Sequence, residues 1–89
     1  MQRRPAMKTS SISYEQLRRF LQDLGFTEER QAGGRRFEHA ATETVFLFRP
    51  YRPTDHVYEH DLVMVRSQLD WRGLMAADAF GDSLAKAPA

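Results

Sequence analysis

Cysteine is absent. That excludes disulfides, thiolate metal sites and a cysteine nucleophile, and it suits a reducing, cytoplasmic setting. Long apolar runs are absent as well. Runs such as Val45–Phe48 and Leu62–Val65 stop at four residues, whereas a membrane-spanning helix needs about 20. No apolar stretch follows Arg3-Arg4, so a secretory leader is not expected. Four prolines and five glycines act as punctuation, with no internal repeat or low-complexity segment. An excess of one charge is almost absent, at net +1, yet the charge is unevenly placed. Residues 1–36 hold eight Arg/Lys against four Asp/Glu, and residues 37–89 hold five against eight. A basic front half is compatible with a phosphate-bearing partner and equally with a solvated surface.

What is present is enough for one domain of 89 residues, 42% hydrophobic and 28% charged. Residues 1–10 read as a flexible basic tail, 11–86 as a single domain and 87–89 as a closing tail.

The first helix has clear signals at both ends. Ser13 as N-cap with Gln16 three residues on makes a capping box, and Ile12 with Leu17 suits a hydrophobic staple. Leu17, Phe20, Leu21 and Leu24 recur at helical spacing and form one apolar stripe. Gly25 stands where a left-handed residue ends a helix, and Phe26 can fold back on Leu21. Arg18 and Arg19 fall on the wet face.

Three strands follow. Residues 26–31 form a weak, edge-like strand, Ala32-Gly33-Gly34 a glycine turn, and Arg35–Ala40 the second strand. Period two puts Arg35, Phe37 and His39 on one face and Arg36 and Glu38 on the other. After a turn at Ala41–Glu43, Thr44–Arg49 is apolar on both faces, as a central or doubly covered strand would be. Pro50 and Pro53 end it. A second helix runs from about Tyr58 or Glu59 to Trp71, with Leu62, Val65 and Leu69 inward and Gly73 as its stop. A short third helix, about 76–86, offers Phe80 and Leu84. The expected fold is α+β: an α-β-β-β-α order in two layers. A three-stranded antiparallel sheet carries two helices on one face, and a short extra helix closes the chain.

The ordered pattern Leu24-Gly25-Phe26 to Gly33-Gly34-Arg35-Arg36-Phe37-Glu38-His39 resembles the HicA (YcfA-like) toxin family. The resemblance extends over residues 12–74. It takes in Tyr51-Arg52-Pro53 in the loop position, and Arg66-Ser67-Gln68-Leu69 with Gly73-Leu74 where the family has its closing helix. It implies a double-stranded-RNA-binding-like fold, mRNA cleavage of the interferase kind, and an antitoxin-like partner in a toxin–antitoxin pair. The family's Gly-Ser-His falls on Ala32-Gly33-Gly34 or Gly33-Gly34-Arg35, so its histidine is missing. Glycine cannot move a proton and arginine stays protonated, so the nuclease activity is expected to be weak or lost.

The site candidates follow from side-chain chemistry. Arg35, Arg36, Arg49 and Arg52 can bind phosphate, and Tyr51 can stack on an unpaired base. His39 is the candidate catalytic base of an active ribonuclease, with Arg35 on its face to hold the phosphate; the plain alternative is a strand-end surface histidine. His56 and His60, four apart, would share a helix face, but they straddle a loop and a helix start, so neither a metal nor another cofactor is expected. Glu59 and Asp61 suit the positive end of a helix. RNA is the expected partner. The rival reading is a protein-interaction module, in which the second sheet face meets an antitoxin-like protein or a second copy.

Overall fold

Ser13 starts the first helix as its chemistry dictates. In the computed structural model, which describes residues 8–87, α1 spans Tyr14–Asp23 and the Ser13 hydroxyl accepts from the Gln16 N–H at 3.1 Å. The capping box is only half made. The Gln16 amide reaches instead to the Leu84 carbonyl at 3.0 Å and ties α1 to the chain's last helix. At the other end Gly25 is left-handed, with φ 102°. The Gly25 N–H bonds the Gln22 carbonyl and the Phe26 N–H bonds the Leu21 carbonyl, both at 3.0 Å. That is the Schellman arrangement, and it turns Phe26 back into the core.

The hairpin comes next: β2 at Thr27–Gln31 and β3 at Gly34–His39, joined by Ala32 and the left-handed Gly33. Gly34 already belongs to the strand. A Cβ there would stand 2.2 Å from the Phe48 carbonyl oxygen, so only glycine fits. A 3-10 turn at Ala40–Thr42 leads to β4, Thr44–Phe48. The sheet is antiparallel, in the order β2-β3-β4. β4 is therefore an edge strand, so of the two readings open from its sequence, central or doubly covered, the central one falls. Its alternation is complete: Thr44, Phe46 and Phe48 are buried, while Val45 and Leu47 face outward.

Then β5 (His56–Tyr58) runs into α2 (Glu59–Trp71), and α3 covers Ala77–Ala85. Gly73, left-handed at φ 76°, ends α2 just as Gly25 ends α1, with the Leu74 N–H on the Leu69 carbonyl at 2.8 Å. The α+β fold and the three-stranded antiparallel sheet are as expected. A second, two-stranded sheet is added. Thr9–Ser13 forms β1 and pairs antiparallel with β5. Thr9 and Ser10 thus leave the expected tail for a strand, while residues 1–7 and 88–89 lie outside the described residues. This small sheet has a definite task. The Tyr14 and Glu15 N–H groups bond the Asp55 and Pro53 carbonyls, and the Glu59 N–H bonds the Lys8 carbonyl. The segment next to each strand thereby satisfies helix-start donors that would otherwise be orphaned.

The core lies between the three-stranded sheet and the helices. Leu17, Phe20, Leu21, Val65 and Leu69 are buried as expected, and Leu24 and Leu62 pack against them half-buried. Trp71, the last residue of α2, is 75% exposed. The aromatic centre is Tyr14, Phe37, Phe48 and Tyr51, with Tyr14 and Tyr51 stacked at 5.4 Å. No helix among the described residues is long and apolar enough to cross a membrane.

Candidate nucleic-acid interface

The hairpin register decides where the arginines stand. Gln31 pairs with Gly34, so Arg30 pairs with Arg35 and both lie on the helix-side face, next to Phe48 across the sheet. The loop after β4 then passes beside them. Arg30, Arg35 and Arg52 line a hollow of about 330 Å³ walled by Gly33-Gly34, Pro50, Tyr51 and Pro53. A second hollow of about 390 Å³ shares the Pro50-Tyr51 wall and is lined by Arg49, Asp55, His56 and Tyr58. Four arginines and a histidine thus border two adjoining depressions.

Carboxylates pair with three of these arginines, two of them from the buried side. Arg35 pairs with Glu28 at 3.2 Å, and its guanidinium lies 5.7 Å from the Tyr14 ring centre. Glu28 also accepts from the Tyr14 hydroxyl at 2.9 Å and from Arg18 at 3.3 Å. Burial first, and then this hydrogen bond to Glu28, push the Tyr14 phenol above its ordinary pKa. Arg18 grips Glu15 through two bonds of 2.9 Å and holds the Glu15 carboxyl below its usual range. Arg18 and Arg19, assigned to solvent from the sequence, are therefore tied into a network with Glu15.

Asp61 is the second anchor. It is buried in the first turn of α2, where the sequence suggested no more than a helix-dipole role. It accepts from the Tyr51 hydroxyl, pairs with Arg49 at 3.5 Å and meets His60 at 3.2 Å. The Arg49 guanidinium lies 4.4 Å from the Tyr58 ring centre. The Tyr51 hydroxyl also accepts from the Tyr58 N–H at 3.1 Å. Burial, with the Asp61 bond second, pushes the Tyr51 phenol up to about 12. Arg52 pairs loosely with Asp55 at 3.7 Å. No carboxylate among the described residues lies within ion-pair distance of Arg30.

Of the expected site residues, Arg35, Arg49 and Arg52 come together here. Tyr51 is with them but cannot stack on a base, because its ring is buried against Tyr14. Arg36 is on the opposite sheet face, bonded to Glu38 at 2.9 Å. His39 stands at the far end of β3 from Arg35, about 13 Å along the strand. Its ring packs on Phe26 at 5.2 Å, and its Nδ1 lies 2.8 Å from the Thr42 hydroxyl. The expected pairing of His39 with a phosphate-holding Arg35 is not assembled. His56 lies in β5 and His60 in α2, so they do not share a helix face. The members missed from sequence are Arg30 and His56. The signal for Arg30 was the two-residue hairpin loop, which fixes it opposite Arg35. His56 borders the Arg49 hollow only because β5 pairs with β1, and neither strand has a pattern that would show it.

Compared with family models, with curated proteins and with solved structures, the chain matches none.

Proposed function

We propose that this chain is a HicA-like RNA-binding protein that contacts RNA through the arginine-lined hollows around Pro50-Tyr51 and cleaves it weakly or not at all. The observation that carries this reading is the convergence of Arg30, Arg35, Arg49 and Arg52 on that one wall. Glu28 and Asp61 are held inward, with side chains 14% and 11% exposed, so they orient the guanidiniums without covering them. Arginines fixed in this way suit phosphate oxygens, since little rotamer freedom is left to lose on binding. The α1-β2-β3-β4 succession, expected from the residue periodicity, is compatible with the double-stranded-RNA-binding-like fold that the resemblance implies.

The inactivity rests on two points. The family's histidine has no counterpart at Gly33-Gly34-Arg35. The histidine of the three-stranded sheet, His39, is bonded to Thr42 and lies at the other end of its strand from the arginines, and the histidine that does border the Arg49 hollow, His56, comes from β5 and not from the family's position. General acid–base catalysis needs the proton carrier within hydrogen-bond reach of the reacting group.

Fluorescence titration against structured and unstructured RNA at several salt concentrations tests the proposal. Arg30→Ala and Arg52→Ala should each weaken binding and lower the salt slope of log K by about 0.7–0.9. Arg36→Ala, on the other face, should leave the slope unchanged. No binding at low salt would end the RNA reading.

A further inference from the structure

The two edges of the three-stranded sheet are unlike. β2 reads Thr-Glu-Glu-Arg-Gln, and such charge discourages strand addition. β4 reads Thr-Val-Phe-Leu-Phe, with no charge and no proline, and its ladder with β3 runs without a bulge. Apart from β3, no described residue makes a backbone hydrogen bond to Thr44–Phe48. Val45 and Leu47 are 42% and 66% exposed on the face away from the helices.

We propose that β4 pairs antiparallel with β4 of a second copy, about a twofold axis at Phe46, making one continuous six-stranded sheet. The sequence of the strand is self-complementary in that register. Val45 falls opposite the partner's Leu47 and Leu47 opposite the partner's Val45, so four exposed apolar side chains close into one patch. At each end the exposed Glu43 falls opposite the partner's Arg49 in this register, so the charges there are complementary although the Arg49 guanidinium is already held by Asp61 of its own chain at 3.5 Å. Slipping the register by one residue would set outward Val45 against the partner's inward Phe48. Trp71 extends the contact. Arg72 bonds the Thr42 carbonyl at 3.2 Å, and its guanidinium lies 4.9 Å from the Trp71 ring centre, so this exposed indole flanks the Thr42 end of the edge. An exposed aromatic at that position is typical of an interface anchor.

Sedimentation of the full chain without RNA, over a range of concentrations, tests this independently of the RNA reading. A monomer–dimer equilibrium is expected. Leu47→Lys, at a position 66% exposed, should abolish it, and Thr27→Lys on the charged edge should not. The chain has no cysteine, so the double variant Val45→Cys, Leu47→Cys adds a direct probe. Opposed antiparallel residues stand about 4.5–5.5 Å apart between Cα atoms, within the span of about 4.4–6.8 Å that a disulfide bridges. Mild oxidation should therefore yield a covalent dimer. A wild-type chain that stays monomeric at every concentration would overturn the proposal. So would a dimer that survives Leu47→Lys.

Discussion

Replacing Tyr51 by Phe removes one oxygen and keeps the ring that stacks on Tyr14. That oxygen donates to buried Asp61 and accepts from the Tyr58 N–H. A hydrogen bond to a charged group contributes about 1.5–3 kcal/mol, and the variant should lose about that much at neutral pH. Each kcal/mol moves the melting midpoint of a domain this size by about 4–8 °C. The pH dependence gives a second, independent sign. Tyr51 holds its proton up to about 12 in the fold, whereas the unfolded chain releases it near 10. The folded pKa is the higher one, so the contribution is complete below about pH 10 and is lost as pH rises toward about 12. Two pKa units correspond to about 2–3 kcal/mol, set first by burial of the phenol and second by the Asp61 bond. Tyr14 titrates in both proteins, so it cancels in the difference. Urea denaturation of wild type and Tyr51→Phe, followed by circular dichroism across this range, measures it. A neutral-pH difference below about 0.5 kcal/mol would refute the Asp61 anchor. So would a wild-type advantage that stays flat or grows between pH 10 and 12.

Leu21→Ala should cost about 2–5 kcal/mol, the usual penalty for a cavity at a fully buried leucine, and urea denaturation reads it directly. Gly34→Ala should destabilise by about 1–3 kcal/mol, because β4 must shift to admit a Cβ. Gly81→Ala, in α3 with open space around it, should stabilise by about 0.5–1 kcal/mol. Incubated with mixed-sequence RNA, the purified chain should give no discrete products. Cleavage that disappears in His39→Ala would return His39 to the role of general base.

How much of this fold was legible depends on the range of the forces involved. Both helix ends were readable because a Schellman cap is local: Gly25 and Gly73 each need a left-handed φ within a few residues of the last turn. The hairpin faces were readable from period two, and Phe37 against Arg36 follows it. The β1–β5 pair was not readable. Its strands are five and three residues long, lie more than 40 positions apart and are mostly polar. Their pairing brings carbonyl acceptors beside two helix starts, and nothing in either segment alone announces that arrangement. The edge position of β4 is not legible for a related reason. Apolar residues on both faces describe a strand covered twice, and they describe equally well an edge whose outer face is left bare.

The candidate site shows the same division. Arg30 could have been placed with Arg35 had the turn been read as Ala32-Gly33 alone. Counting Gly34 into the turn removed the register that pairs them. Tyr51 is the deeper case. A tyrosine between two arginines and two prolines suits base stacking and suits a core anchor, and its neighbours in sequence do not choose between them. Asp61 chooses, ten positions later, by accepting the hydroxyl and drawing the ring under Tyr14. The same carboxylate holds Arg49, so one buried acid positions a core tyrosine and a surface arginine together. The positive surface and the aromatic core are therefore coupled. A substitution at Asp61 made to increase the basic charge would release Arg49 and loosen the wall that the two hollows share.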